Sequence, residues 1–201
     1  SIVGIRSLWL TFIGEAAHAG TMPMAKRKDA FWGVAQFAIK AKDMIMQNFH
    51  PGVVNFGDIE ISPAAFNIVP DEVKLGVEFR DGSNDTLEDM ERALLNLAEE
   101  TAKNMGLTVS VTRMHDIKAA PMSASYIEAV ESACEELSLG HTQLLSFAGH
   151  DAQSMAQIGN SVMYFVPSVN GISHNPKEFT RDEDCTNAAN VMLQTVLQLA
   201  K

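Results

Sequence analysis

Apolar and polar residues recur with two different periods along the first part of the chain. Apolar residues spaced three and four apart predict two helices, at residues 29–49 and 86–105. Alternation with period two predicts four strands, at residues 5–13, 53–61, 73–80 and 107–111. The resulting order of β-α-β-β-α-β predicts a four-stranded antiparallel sheet with both helices on one face, a ferredoxin-like arrangement.

Local signals refine two of these elements. Gly57 and Asp58 interrupt the alternation of the second strand and predict a bulge there. Residues 86–89 (Thr-Leu-Glu-Asp) resemble a capping box, with Asp in place of Glu or Gln, and predict the start of the second helix. Arg80 lies at the end of the third strand, on its polar face.

The pattern changes at residues 119–121 (Ala-Ala-Pro), which predict a boundary between domains 1–118 and 119–201. Beyond it, the spacing predicts helices at residues 125–140, 149–158 and 182–200 and strands at residues 144–145 and 161–166. Three helices need more sheet to pack against than two short strands provide. This second unit therefore resembles half of an α/β domain whose remainder lies elsewhere, and the fold class is α/β with an α+β first domain.

Charge and composition narrow the function. The chain carries a net charge of −10, which disfavours nucleic-acid binding because phosphate contacts need clustered Lys and Arg. The single basic cluster, residues 26–28, is followed at once by an acidic residue and indicates a solvated helix start. Cys134 and Cys185 lie apart in helical patterns, as in a reducing compartment. With no membrane-length apolar run and no secretory signal, we expect a cytoplasmic protein.

Two histidines lie in turn-forming sequence, His150 within residues 147–152 (FAGHDA) and His174 within residues 171–178 (GISHNPKE). Both turns adjoin predicted elements of one α/β core, where such folds place ligands. Neutral imidazole binds zinc-like and manganese-like ions, but one histidine does not make a metal site. From spacing alone, a loop histidine that bonds to backbone is the stronger interpretation of His174.

Other polar residues also allow two interpretations each. His18 is either an exposed loop histidine or a binding group. Arg80 is either a surface charge or a planar fork for a carboxylate. Asn67 is a turn former or an amide that offers one donor group and one acceptor. Gly149 is a turn glycine or part of an anion site at a helix N-terminus.

Five segments of the chain carry a further signal: residues 14–24 (GEAAHAGTMPM), 66–70 (FNIVP), 79–81 (FRD), 148–152 (AGHDA) and 166–176 (VPSVNGISHNP). In sequence and in order they resemble the M20-type amidohydrolases that act on ureido acids: the N-carbamoyl-L-amino-acid hydrolases, β-ureidopropionases and allantoate amidohydrolases. Together they span essentially the whole chain. Phe147 stands where this family usually has Gly.

The resemblance implies hydrolysis of the ureido C–N bond of an N-carbamoyl-L-amino acid, which releases ammonia, carbon dioxide and the free amino acid. Metal-activated water is the attacking group in this family. Allantoate hydrolysis is an alternative, and an M20 peptidase or aminoacylase is a further one. A function of another class is a dimerisation module without activity.

The resemblance also implies a two-domain metalloenzyme with two divalent ions, zinc or manganese, with cobalt or nickel as alternatives. Residues 1–118 correspond to its lid, which forms a homodimer, and residues 119–201 to the last part of its catalytic domain. Family members carry an N-terminal catalytic segment with most metal ligands. We therefore expect this chain to be a C-terminal fragment that is inactive alone.

The resemblance assigns a role to each of the ambiguous residues. His174 would be a metal ligand. His18 would be catalytic, reaching across the dimer to bind substrate and to stabilise the oxyanion. His150 would help to orient the loop at the predicted helix start. The substrate-binding residues that it implies are His18, Asn67, Arg80, Gly149 and His150.

Overall fold

A computed structural model of the protein describes residues 1–201 as a mixed α/β structure with two compact units. The larger unit is Val3–Ala119, and the smaller unit combines Ser1–Ile2 with Ala120–Lys201. None of the helices combines the length and the apolar character that crossing a bilayer would require.

Six strands and two α-helices make up the larger unit. Its elements, in chain order, are β1 (Gly4–Ile13), β2 (Ala17–His18), α1 (Ala30–Asn48), β3 (Val53–Ser62), β4 (Ile68–Val69), β5 (Glu72–Asp81), α2 (Asn84–Asn104) and β6 (Thr108–Ile117).

The main sheet has the strand order β3-β5-β1-β6, and every neighbouring pair is antiparallel. Alternate residues of β1 and β5 are buried, and these residues form one core cluster with the apolar faces of α1 and α2. Both helices therefore cover the same face of the sheet. The opposite face is mainly polar, and it carries Arg80.

The period-two pattern locates all four long strands, because each contributes alternate residues to this core or to its rim. The predicted bulge is confirmed: the register between β3 and β5 shifts between Phe56 and Asp58. The predicted start of α2 at Thr86 is wrong. The helix begins at Asn84, because the Ser83 hydroxyl accepts the Thr86 backbone N–H at 3.3 Å and so caps it.

An N-cap and an apolar stripe likewise explain the start and the packing of helix α1. The Asp29 carboxylate accepts the Phe31 backbone N–H at 3.0 Å and satisfies one of the free donors of the first turn. The Phe37 ring lies 5.9 Å from that of Phe12 and 6.0 Å from that of Phe56. These aromatic contacts fix α1 over the sheet.

A buried arginine closes the end of the core between β1, β6 and α2. Arg6 is 7% exposed; its Nη1 donates to Glu91 at 3.0 Å and its Nε to Asp116 at 3.0 Å. Glu91 also accepts from Arg113 Nε at 2.6 Å. Because each charge has a hydrogen-bonded partner, the network tolerates the loss of solvent around Arg6.

The cations around Asp116 lower the pKa of its carboxyl. A hydrogen bond from Lys118 lowers the pKa of its carboxyl, and the hydrogen bond and charge of Arg6 lower it further against the opposing effect of desolvation. A carboxyl with a lowered folded pKa contributes stability at neutral pH. That contribution is lost as the pH falls through the folded pKa.

The smaller unit contains α3 (Ala124–Glu136), α4 (Asp151–Met155) and α5 (Asp182–Leu199). Helices α3 and α5 pack together around Ala133, Cys134 and Val191. The Tyr164 hydroxyl donates to the Ala188 backbone carbonyl at 2.9 Å and ties the preceding segment to α5. Desolvation by burial raises the pKa of both Cys134 and Tyr164.

Three predictions for this unit are wrong. Residues 161–166 and 144–145 form no strand, and the helix predicted over residues 149–158 is only Asp151–Met155. A strand needs a hydrogen-bonded neighbour, and residues 161–166 have no strand beside them in this unit. Phe165 is consequently 54% exposed, and the outer face of α5 leaves Met192 and Val196 exposed as well.

We expect Arg6→Ala to destabilise the larger unit by roughly 1–3 kcal/mol, because it removes the buried guanidinium that donates to both Glu91 and Asp116. The loss stays in this range because the two carboxylates keep their other cationic partners, Arg113 and Lys118. Urea unfolding followed by circular dichroism measures the change. Arg92→Ala is the control: this exposed arginine makes one ion pair with Asp89 along α2, worth about 0.5 kcal/mol or less. Equal losses in the two variants would contradict the structural role of Arg6.

Candidate functional site

His18 and Asn67 lie together on a small ribbon outside the main sheet. Strands β2 and β4 pair antiparallel, with His18 opposite Ile68, and the Ala19 N–H donates to the Asn67 carbonyl at 2.9 Å. The loop that carries His18 leaves β1 through Gly14. A Cβ at Gly14 would lie 1.9 Å from the Lys28 carbonyl oxygen, so only glycine allows this close approach.

The imidazole of His18 is exposed but held in a defined orientation. Its Nδ1 accepts the Gly20 backbone N–H at 3.0 Å. In the neutral ring the proton therefore resides on Nε2, which becomes a hydrogen-bond donor. A donor of this kind suits an oxygen on which negative charge develops.

Arg27 is a residue that the sequence interpretation missed. Its Nε donates to the Met22 carbonyl at 3.1 Å and its Nη2 to the Ala19 carbonyl at 2.5 Å, so it bridges two points of the loop that carries His18. The interpretation of residues 26–28 as a solvated helix start is wrong for this side chain, which is half-buried. The sequence did carry one clue to this role. Backbone carbonyl groups in an irregular loop are not satisfied by a helix or a sheet, and a nearby arginine can donate to them.

Arg80 lies far from His18 and Asn67 along the sheet. In the register of β1 and β5, Ile13 opposes Glu72 at the end next to the His18 loop, whereas Ile5 opposes Arg80. The eight residue steps from Glu72 to Arg80 span about 26 Å of strand. That length is several times the size of an amino acid, so the structure does not bring Arg80 to the other two residues.

Glu78 engages the Arg80 guanidinium on the open face of the sheet. Its Oε1 accepts from Nε at 2.9 Å and from Nη2 at 2.7 Å. The two residues are two apart in β5 and so share a face, which is the signal that could have identified Glu78. On the same face, Lys74 Nζ lies 3.4 Å from Glu60 and 4.2 Å from the centre of the Trp9 ring.

His150 and Gly149 lie at the start of α4 in the smaller unit. His150 Nε2 lies 2.8 Å from the Ser146 hydroxyl, and its ring contacts the Phe165 ring edge-on at 5.5 Å. These two contacts orient the imidazole. A Cβ at Gly149 would meet only the Gln153 side chain, at 3.6 Å, so space alone does not require glycine there.

His174 is exposed and follows the short 3₁₀ helix Val169–Gly171. It adopts a left-handed φ of 54°, and its backbone N–H donates to the Glu178 carboxylate at 2.9 Å. No group of three or more His, Cys, Asp or Glu side chains is placed to hold a metal ion. The residues of this chain therefore do not by themselves fit a two-metal centre.

Comparisons with known proteins identify relatives of the whole chain. The sequence profile of peptidase family M20/M25/M40 matches residues 7–198. Allantoate amidohydrolase of Escherichia coli (strain K12) is 30% identical over 200 residues, as is the N-carbamoyl-L-amino acid amidohydrolase of Geobacillus stearothermophilus; each alignment covers 100% of this chain and 49% of the relative. The chain thus spans about half the length of these curated relatives.

Solved structures agree in fold. The crystal structure of a hydantoinase/carbamoylase family amidase from Burkholderia ambifaria superimposes with a TM-score of 0.89 at 31% sequence identity. The match covers 99% of this chain and 48% of that structure. Both compact units therefore have counterparts in a known hydrolase structure.

We expect the 201-residue chain to bind Zn²⁺ or Mn²⁺ weakly, because no cluster of ligand side chains is assembled within it. Isothermal titration calorimetry with each ion measures the affinity, and His174→Ala serves as the control for binding through the one implied ligand. Two tight sites per chain would contradict the expectation.

Proposed function

The chain belongs to peptidase family M20/M25/M40, and we propose that the whole protein hydrolyses the ureido C–N bond of N-carbamoyl-L-amino acids. Ammonia, carbon dioxide and the free amino acid are the products. Allantoate is the second candidate substrate, because the E. coli allantoate amidohydrolase is as similar to this chain as the carbamoyl hydrolase is. The single supporting observation in the structure is the placement of His18 beside Asn67.

We propose that activity requires divalent metal ions, zinc or manganese, with His174 as one ligand. The other ligands would lie in the half of the relatives that this chain does not span. His18 contributes independently of the ions. As water adds to the ureido carbon, negative charge grows on the ureido oxygen, and His18 Nε2–H donates to it.

Arg80 and Asn67 supply recognition in this proposal. The Arg80 guanidinium would bind the substrate carboxylate with two charge-assisted hydrogen bonds. Asn67 would offer its amide donor and acceptor to the polar ureido group. Glu78, in contact with the guanidinium at 2.7 Å, keeps it on the open face of the sheet.

The separation of Arg80 from His18 favours a site shared between two protomers. A single substrate cannot contact both residues of one chain across about 26 Å. We propose that residues 1–118 form a ferredoxin-like lid that dimerises about a two-fold axis. Each active site would then take Arg80 from one protomer and His18 and Asn67 from the other. The edge strands β3 and β6 offer unpaired backbone groups for that contact.

The proposed activity predicts that the full-length enzyme releases ammonia from N-carbamoyl-L-amino acids and that Arg80→Lys lowers kcat/KM about 10- to 100-fold. The charge is kept but the two-bond fork is lost, a change on the order of 1–3 kcal/mol. Steady-state assays on carbamoyl amino acids and on allantoate measure the effect and separate the two candidate substrates.

Arg92→Lys is the control for this prediction, because Arg92 is an exposed arginine on α2 with one surface ion pair. It should leave both kcat/KM and the melting temperature unchanged. Arg80→Lys should also leave the melting temperature unchanged. Wild-type kinetics in Arg80→Lys would remove Arg80 from the site, and no ammonia release from either substrate would reject the proposed activity.

The shared site predicts complementation between two inactive variants. Mixed protomers of His18→Ala and Arg80→Ala should recover about a quarter of wild-type activity, because half of the dimers are hybrids with one intact site of two. Subunit exchange followed by the ammonia assay measures the recovery. If both residues served the same site from one chain, every hybrid site would carry a defect and no activity would return.

A further inference from the structure

We propose that Arg27 is a positioning residue for His18: its guanidinium holds the turn of residues 19–22 so that the imidazole keeps Nε2 as its donor. The inference rests on the proposed function only for the catalytic importance of His18. The positioning itself is a property of the loop, and it is carried by hydrogen bonds within Val3–Ala119.

The first step is the pair of carbonyl groups that Arg27 binds. Ala19 and Met22 lie in an irregular turn, where their carbonyl oxygens point into the loop. Arg27 Nη2 reaches the first at 2.5 Å and Nε reaches the second at 3.1 Å. A charged donor strengthens both bonds, so one side chain brackets the turn at its two ends.

The second step is the anchor of Arg27 itself. The next residue, Lys28, closes the base of the loop: its carbonyl accepts the Glu15 N–H at 2.9 Å, and its Nζ pairs with the Glu15 carboxylate at 2.5 Å. Asp29 then caps α1. The backbone at Arg27 is therefore held in place, and the length of the Arg27 side chain determines where the turn lies.

The third step connects the turn to the imidazole. The His18 carbonyl accepts the Met22 N–H at 3.1 Å, and Gly20 N–H donates to His18 Nδ1 at 3.0 Å. A Cβ at Gly20 would lie only 3.3 Å from His18 Cε1, which shows how closely the ring rests on the turn. If the turn moves, the donor to Nδ1 is lost, and the ring is no longer restricted to one tautomer.

Arginine suits this task better than lysine. The two carbonyl groups belong to residues three apart, and the planar guanidinium presents Nε and Nη2 toward both at once. A lysine ammonium is a compact point charge that would favour one carbonyl at a time. Arg27→Lys therefore keeps the charge but removes the simultaneous hydrogen bonds to both carbonyl groups.

The spectroscopic test uses the full-length protein labelled with ¹⁵N-histidine, in which His18→Ala identifies the His18 signals. At a pH at which the ring is neutral, wild type should show one tautomer, with the proton on Nε2. Arg27→Lys and Arg27→Gln should shift the His18 signals toward a mixture of tautomers. The neighbouring exposed cation provides the matched control, Lys26→Gln, which should match wild type. Unchanged His18 signals in a folded Arg27→Lys protein would overturn the proposal.

The kinetic test is a double-mutant cycle on kcat/KM. Arg27→Lys should lower kcat/KM about 10- to 100-fold in wild type and have no further effect in a His18→Ala background, because it acts through His18. Losses that multiply would overturn the proposal. A tautomer shift without loss of activity in either single variant would support positioning and reject the proposed role of His18 in catalysis.

Discussion

The unbroken register between β1 and β5 is the constraint on which the larger unit depends. Ten consecutive pairs, from Gly4 opposite Asp81 to Ile13 opposite Glu72, align the two central strands without a bulge. A slip of one residue would turn every core residue of β1 toward the polar face. The same register sets the geometry of the proposed site, because it fixes the His18 loop at one end of the sheet and Arg80 near the other.

Three arginines perform three different tasks around this sheet. Arg6 is buried and neutralised by carboxylates, so its contribution is to the fold. Arg27 binds only backbone carbonyls, so it controls the shape of a loop rather than the charge of a surface. Arg80 is paired on the open face, where a ligand could approach it. The identity of the partner, more than the charge itself, separates these roles.

Local periodicity predicts much of the larger unit because its strands contribute alternate residues to one core or its rim. It fails for residues 161–166, since strand formation depends on a neighbour that no local pattern encodes. For the site, family resemblance predicts roles for His18, Asn67 and Arg80. Arg27 escapes prediction because its function exists only once the loop has folded back over its side chain.

Glu78 bears on how a carboxylate ligand would reach Arg80. The ion pairs Arg80–Glu78 and Lys74–Glu60 balance both cations of the open face, on a chain whose net charge is −10. Such a surface does not draw an anion from a distance, because its cations are paired and the chain is negative overall. The carboxylate must instead compete with Glu78 at contact range. Discrimination between ligands at Arg80 would then depend on how long each one stays bound rather than on how often it collides with the surface.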